Sequence, residues 1–461
     1  MCESLAIAAL VCACLVAHAV AAPDDASTAA MQQKFQAALA AQDKGDIDRA
    51  ESLLRDLHIH HPGIFQVDET LGLLLVSRGK VPAALPLLQS AVNEQPGSDV
   101  AHANLGAAYY ELHRNQLAMD EFERAVQINP GNVSAQESLG RLSIENQKPE
   151  RAAKALLAAQ RLKPDDPDLK LDCITALLAA HRLGDAQAML STVADPDQSA
   201  RAQSLLGQAD ESAGRFKQAG EHYARAAALE PSEENAWQLA VELLRHWTFD
   251  AAVAEFQAAS AKFPDSKRLR LGLGAALFGD ARYAQAVHVY ADLLQSDPDN
   301  KTYAELLGIA CNAPLSTSTP RCALLVTYAQ LHPADARAAT YAAGFLLTEN
   351  VNQQNVDLAR KLLVRAIAAN PRLPEAQFQM GVVLQQRDDW KGSIAYLERA
   401  VRLKPDYAQA HYRLGRAYWK VGRHQEGQAQ IELQKKFARQ EQDDLNQRLS
   451  RIATFGVEVK Q

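Results

Sequence analysis

A Leu-Gly pair returns every 34 residues along this chain, at Leu71-Gly72, Leu105-Gly106 and Leu139-Gly140. The series continues at Leu206-Gly207, Leu273-Gly274, Leu307-Gly308, Met380-Gly381 and Leu414-Gly415. A small residue stands twelve positions after each early glycine, at Ala84, Ala118 and Ala152. Prolines close the units at Pro62, Pro96, Pro130 and Pro164, then at Pro231, Pro264, Pro298, Pro333, Pro371 and Pro405. Three markers sharing one period mean that a single supersecondary unit is repeated, and such units bury their apolar faces only by stacking. Apolar residues within a unit fall at helical spacing, as at Ala84, Leu85, Leu88 and Ala91, which predicts amphipathic helices. Gly106 and Ala118 are small where two antiparallel helices cross closely, and Tyr109 and Phe122 supply bulk on either side. Pro130 cannot continue the second helix. Gly79 and Gly214 sit where the chain reverses, a left-handed C-cap site.

These residues resemble the tetratricopeptide repeat (TPR) family, whose pattern is W-x2-L-G-x2-Y followed by a small residue, an aromatic, Ala and Pro. The best match is Asn104-Leu105-Gly106-Ala107-Ala108-Tyr109, then Ala118, Phe122, Ala125 and Pro130. The resemblance implies an all-α, right-handed superhelical solenoid of about twelve helical hairpins over residues 31–441. The units are expected near 31–64, 65–98, 99–132, 133–166, 167–199, 200–233, 234–266, 267–300, 301–336, 337–373, 374–407 and 408–441. Several depart from the pattern. The first reads Ala37-Ala38 at the Leu-Gly site and the fifth Cys173-Ile174. The seventh is read as Ala240-Val241, with Trp237 in the tryptophan position. The ninth carries a lengthened turn, Ala313 to Pro320, and the tenth an insertion around Asn350 to Asn355. The last unit has Gly427 at its small position, and its second helix is expected to continue as a polar cap into residues 442–461, as solvent-facing ends require.

Residues Leu5 to Ala22 are apolar apart from His18 and end in Ala19-Val20-Ala21. This reads as a signal peptide over 1–21, cut after Ala21, with a linker at 22–30. The absence of a positive charge before Leu5 argues against it, and the alternative is an uncleaved membrane anchor over 5–22. Export to the periplasm or the exterior is the expectation. Beyond the leader remain Cys173, Cys311 and Cys322, an odd number that excludes a disulfide-framework domain. Cys311 and Cys322 bracket the lengthened turn and are candidates for a disulfide in an exported protein; the alternative is two compact apolar side chains.

Formal charge is −7, from 48 basic and 55 acidic residues. With no basic run, nucleic acid is excluded as a partner. No G-x-S-x-G, H-E-x-x-H or phosphate-loop motif occurs, so no catalytic, cofactor or metal residue is assigned. His58-Ile59-His60-His61 could bind a transition metal, but at a helix end such residues cap carbonyls. In TPR proteins that hold extended peptides through an asparagine ladder, Asn precedes Leu-Gly repeatedly. Asn104 does so here, whereas Thr70, Ser138, Leu205, Gly272, Leu306, Gln379 and Arg413 occupy the matching sites. A clamp for acidic C-terminal peptides, a Lys and Asn one turn apart, is also lacking: the sites read Glu69/Leu73, Ala103/Ala107 and Glu137/Arg141.

By the resemblance, the first helix of each unit lines a concave groove. The residues assigned to it are Tyr110, Arg141, Arg245, Phe278, Tyr341, Phe345, Phe378, Tyr412, Arg416 and Trp419, with aromatics at successive levels of the later units. Aromatic and Arg side chains are favoured as binding anchors. The family implies a non-catalytic scaffold or adaptor for proteins or extended peptides in the cell envelope. The alternatives are a periplasmic arm of a polysaccharide or secretion export system, or a regulatory subunit of a separately encoded enzyme.

Overall fold

The computed structural model describes residues 26–313, 320–348 and 352–459, with side chains for 28–443 of these. The leader over 1–21, the start of the linker and the core of the ninth unit's lengthened turn lie outside them. Among the described residues every regular element is helical, and the chain falls into two compact stacks that meet in sequence at Ser191 and Thr192.

The first stack holds five hairpins: α1 (Ala26–Asp43) with α2 (Ile47–His60), α3 (Phe65–Ser77) with α4 (Val81–Glu94), α5 (Asp99–Glu111) with α6 (Asn115–Ile128), α7 (Val133–Glu145) with α8 (Pro149–Leu162), and α9 (Pro167–Ala179) with α10 (Leu183–Leu190). The second holds seven: α11 (Ala200–Ser212) with α12 (Phe216–Leu229), α13 (Glu233–Arg245) with α14 (Phe249–Lys262), α15 (Lys267–Gly279) with α16 (Tyr283–Ser296), α17 (Lys301–Cys311) with α18 (Ala323–Leu331), α19 (Ala336–Thr348) with α20 (Gln353–Ala369), α21 (Pro374–Gln386) with α22 (Trp390–Leu403), and α23 (Ala408–Lys420) with α24 (His424–Val459). The usual second helix has 14 residues, but α10, which closes the first stack, has only 8.

The repeated glycine is the eighth residue of a first helix, and its missing side chain is filled from the second helix of the same hairpin. A Cβ on Gly72 would lie 2.7 Å from Leu88 Cδ2, and one on Gly207 would lie 2.7 Å from Tyr223 Cε1. Phe122, Leu156, Tyr290, Leu397 and Ile431 meet their own glycines in the same way, each sixteen residues on. Seating one bulky side chain on bare backbone lets the helices approach closely, the small-to-large matching that dense cores require. The ninth hairpin breaks the rule. Its second helix, α18, has 9 residues, and Gly308 is covered instead by Tyr341 of the next first helix. Here Cys311 and Cys322 are joined by a disulfide, Cα–Cα 6.0 Å, tying the end of α17 to the approach to α18.

Two local devices start most of the first helices. A Ser, Asn or Asp shortly after the closing proline caps it, as when Ser98 Oγ accepts from Ala101 N, Asn132 Oδ1 from Ala135 N and Asp166 Oδ1 from Leu169 N. The fourth residue then often reaches back to the proline's own carbonyl. Gln136 Nε2 donates to Pro130 O at 3.3 Å, Gln203 Nε2 to Pro196 O at 3.0 Å and Gln377 Nε2 to Pro371 O at 3.1 Å. His102 and His411 do the same through Nε2, to Pro96 O and Pro405 O. These side chains are buried, so they satisfy a carbonyl that would otherwise carry a desolvation cost.

The seventh hairpin corrects the sequence register. Ser232 caps α13, its side chain accepting from Asn235 N, so the helix begins at Glu233 and its small eighth residue is Ala240 preceded by Leu239. Trp237 is therefore the fifth residue, not the tryptophan position. Its ring stands edge-on to Phe256, centroids 5.7 Å apart, under the Arg268 guanidinium. The insertion expected around Asn350–Asn355 is partly helix, since Asn352 caps α20 by accepting from Asn355 N at 2.9 Å. Between helices the chain reverses through a left-handed residue. Gly79 and Gly214 take it at φ 70° and 74°, but Trp247 and Ala281 take it at 61° and 57°.

Two outcomes follow from these contacts. Gly140→Ala drives a Cβ into Leu156, whose Cδ2 would lie 2.7 Å away, and should cost about 1–3 kcal/mol. Combined with Leu156→Ala the loss should fall short of the sum, read from midpoints of helix loss by circular dichroism. Ala281→Gly should instead raise the midpoint, because relief of a left-handed non-glycine (about 1–2 kcal/mol) exceeds the added backbone entropy of glycine (about 0.5–1 kcal/mol).

Candidate functional site

The residues assigned to the groove separate into three fates. The first group is consumed by contacts between neighbouring hairpins. Tyr110 Oη donates to Glu145 Oε1 at 3.1 Å, Arg141 Nε to Asp172 Oδ2 at 2.7 Å, and Arg245 pairs with Glu211. Asn104, the single ladder-like asparagine, likewise donates to Glu69 of the preceding hairpin at 3.1 Å.

The second group is packing. Phe345 and Phe378 are only 9% and 7% exposed and belong to the core of the second stack. The ring of Phe378 lies 4.9 Å from that of Tyr407 on the approach to α23. Phe278 packs edge-on to Tyr283, and Tyr341 covers Gly308. Phe345 and Phe378 are therefore corrected to core residues of the stack, while the half-buried Phe278 packs within its own hairpin and the half-buried Tyr341 against the preceding one.

The third group is Tyr412, Arg416 and Trp419 on α23. Tyr412 is 45% exposed and Trp419 51%, although the residues 34 positions earlier, Phe378, Val382 and Gln385, are all buried. In the eleventh hairpin α23 covers this face, with Gln385 Nε2 donating to Arg413 O at 3.1 Å. On the twelfth, no described residue takes that place. The uncovered face is a groove of about 510 Å³ between α23 and α24, floored by Gly415, Trp419 and Ile431 and edged by Arg416, Lys420 and Lys435. Arg416 stands 5.6 Å from the Trp390 ring centroid and 5.8 Å from that of Tyr412, and Lys420 Nζ also stands 5.6 Å from Trp390. The face is aromatic and cationic at once.

Other chemistry-bearing residues are structural. His58 Nδ1 pairs with the fully buried Asp68 at 2.6 Å, His60 Nδ1 bonds Asp56 O at 2.8 Å, and His61 caps α2 through its backbone N–H. Among the described residues no group of three or more His, Cys, Asp or Glu is placed to hold a metal ion, and no helix is long and apolar enough to cross a membrane. Cys173 is buried on α9, and desolvation pushes its thiol up to about 12, which leaves it unreactive.

Tetratricopeptide repeat models match residues 35–99, 69–133 and 104–167, then 143–209 and 248–309, and finally 408–440, with a TPR repeat model at 386–422. Together they span more than half of the sequence. The chain belongs to the tetratricopeptide repeat family. Curated proteins supply no match to this TPR chain. Solved structures similar to it include "Naa15/Naa10 bound to HypK-THB", at 14% identity and TM-score 0.36, covering 87% of this chain and 68% of that one. Another is YrrB, "a TPR protein with an unusual peptide-binding site", at 20% identity and TM-score 0.37 over 40% of this chain and 94% of that one. A third is pilF of Pseudomonas aeruginosa, at 18% identity and TM-score 0.36 over 46% and 96%. At such identities and scores they carry no inference about ligands.

One acid in the TPR core is displaced from its ordinary range. Glu242 of α13 is 3% exposed, between Tyr223 of α12 and His246, whose Nε2 lies 3.1 Å from Oε1, and burial raises its pKa to about 7. Below about pH 4.5 both folded and unfolded chains hold this proton. Between there and about 7 the unfolded chain ionises first, so stability falls as pH rises and the loss is complete above about 7. His246, held down by burial, acts in the opposite sense. Glu242→Gln should therefore leave the second stack more stable than wild type at pH 8, by a margin that closes toward pH 4.5, in paired thermal melts across pH.

Proposed function

We propose that this chain is a non-catalytic protein-interaction scaffold of the cell envelope, and that it holds a partner segment against the uncovered face of its last hairpin. The TPR family membership supports a binding rather than a chemical role, since stacked hairpins supply extended surfaces rather than enclosed sites. Export is supported by the leader-like Leu5–Ala22 segment with its Ala19-Val20-Ala21 end. The Cys311–Cys322 disulfide supports it as well, because such bonds persist in oxidising compartments.

The observation that carries the binding reading is the joint exposure of Tyr412, Arg416 and Trp419 at positions that are buried one repeat earlier. Large aromatics beside Arg, ringed by polar groups, are the composition of interface centres. The earlier-assigned aromatics do not share this: Phe345 and Phe378 already spend their apolar surface inside the stack.

Affinity capture from the exporting cell tests the reading. Trp419→Ala should lower recovery of a stoichiometric partner at least tenfold with helicity unchanged, a hot-spot loss. Phe345→Ala should act through stability instead, costing about 3–5 kcal/mol as a buried aromatic truncation. Unaltered capture by Trp419→Ala would remove the last hairpin from the binding surface.

A further inference from the structure

We infer that the partner segment is an amphipathic α-helix bearing carboxylates, and that it lies between α23 and α24 where the first helix of a thirteenth hairpin would stack. This rests on the binding reading above and names the partner's chemistry.

The first argument is continuity with an interface that the stack already uses. In the eleventh hairpin, the face formed by Phe378, Val382 and Gln385 with Ile394 and Val401 receives α23. At the equivalent repeat positions the twelfth has Tyr412, Arg416, Trp419, Gln428 and Lys435; all but the exposed Tyr412 line the groove, with Ile431 beneath. Its curvature is set by the same helix pair, so a helix is the shape that fits it. Nor does α24 turn back to occupy it. The second helix of the eleventh hairpin, α22, runs 14 residues before its turn, whereas α24 runs 36 and carries the chain past that point.

The second argument is charge. Where α22 presents Ile394 and Val401, α24 presents Gln428 and Lys435. Three of the groove's lining residues, Arg416, Lys420 and Lys435, are cationic and none is acidic; Lys435 has Glu432 at 3.1 Å as its neighbour along α24. A helix laid here gains by carrying acids along the flanks of an apolar stripe, the helix-in-groove mode of recognition. A second copy of the chain docking by the same face would bring two cationic edges together, which electrostatic repulsion opposes.

The test uses the full chain and stapled peptide helices with Leu at i, i+3, i+4 and i+7, flanked by Glu in one version and by Lys in the other, followed by fluorescence anisotropy. The Glu helix should bind, and the Lys helix and a proline-interrupted Glu peptide should bind at least tenfold more weakly. Trp419→Ala should weaken the Glu helix about thirtyfold. Trp419 also rests on Gly427, so a surface variant is needed: Arg416→Glu with Lys420→Glu should reverse the preference in favour of the Lys helix. Absence of binding by the Glu helix, equal binding of both charges, or no reversal would overturn the inference. So would self-association in sedimentation that Trp419→Ala abolishes, since that assigns the face to a second copy. Partner capture that survives the double charge reversal would retire this helix reading while leaving the scaffold reading standing.

Discussion

The structure hangs on one contact, repeated: a bulky side chain of the second helix seated on bare backbone at the eighth residue of the first. It decides how closely the two helices cross, and through that where the apolar face of each hairpin points. A side chain on the glycine would force the second helix outward and misalign the surface offered to the next unit. Leu88, Phe122, Leu156, Tyr223, Tyr290, Leu397 and Ile431 play the bulky part, and their differing shapes show that volume, not aromaticity, is what the site selects. The ninth hairpin shows what happens when the donor helix is short. With α18 reduced to 9 residues, Tyr341 reaches in from the next hairpin and the Cys311–Cys322 disulfide holds the remaining connection.

Much of this was legible in the sequence because the glycine, the small residue and the closing proline mark backbone geometry, which few other residues tolerate. The left-handed turn is legible where glycine takes it, at Gly79 and Gly214 and equally at Gly45 and Gly422. Trp247 and Ala281 adopt the same conformation with a side chain that gives no hint of it. The seventh hairpin slipped by one residue in the reading because neither Ala240 nor Val241 is glycine; the deciding signal was Ser232, a cap one residue before the helix. The back-bonds from Gln136, Gln203, Gln377, His102 and His411 to the closing prolines went unread. Their signal was available: a Gln or His six or seven residues after the proline, where the family pattern places tryptophan.

The candidate site was harder to read for a physical reason. First-helix spacing alone does not separate side chains that point at a ligand from those that point at the next hairpin, since both lie on one broad face. Phe378 and Tyr412 occupy the same repeat position and have opposite fates, decided solely by whether a helix follows. Likewise Arg141 and Arg245 have the chemistry of binding anchors, but acids on the neighbouring hairpin stand within reach of each.

That distinction also bears on what an end of a stack must do. A purely protective cap would replace every stacking residue with a solvated one, and α24 goes part of the way with Gln428 and Lys435. On α23 the replacement is incomplete: Val382 gives way to Arg416 and Phe378 to the phenol of Tyr412, but Gln385 gives way to Trp419, which is larger and more costly to leave in water. An end evolved only for solubility has no use for an exposed indole beside an exposed phenol. An end that receives a helix needs them, because rigid aromatics lose little entropy on burial while the surrounding cations set the orientation of what arrives.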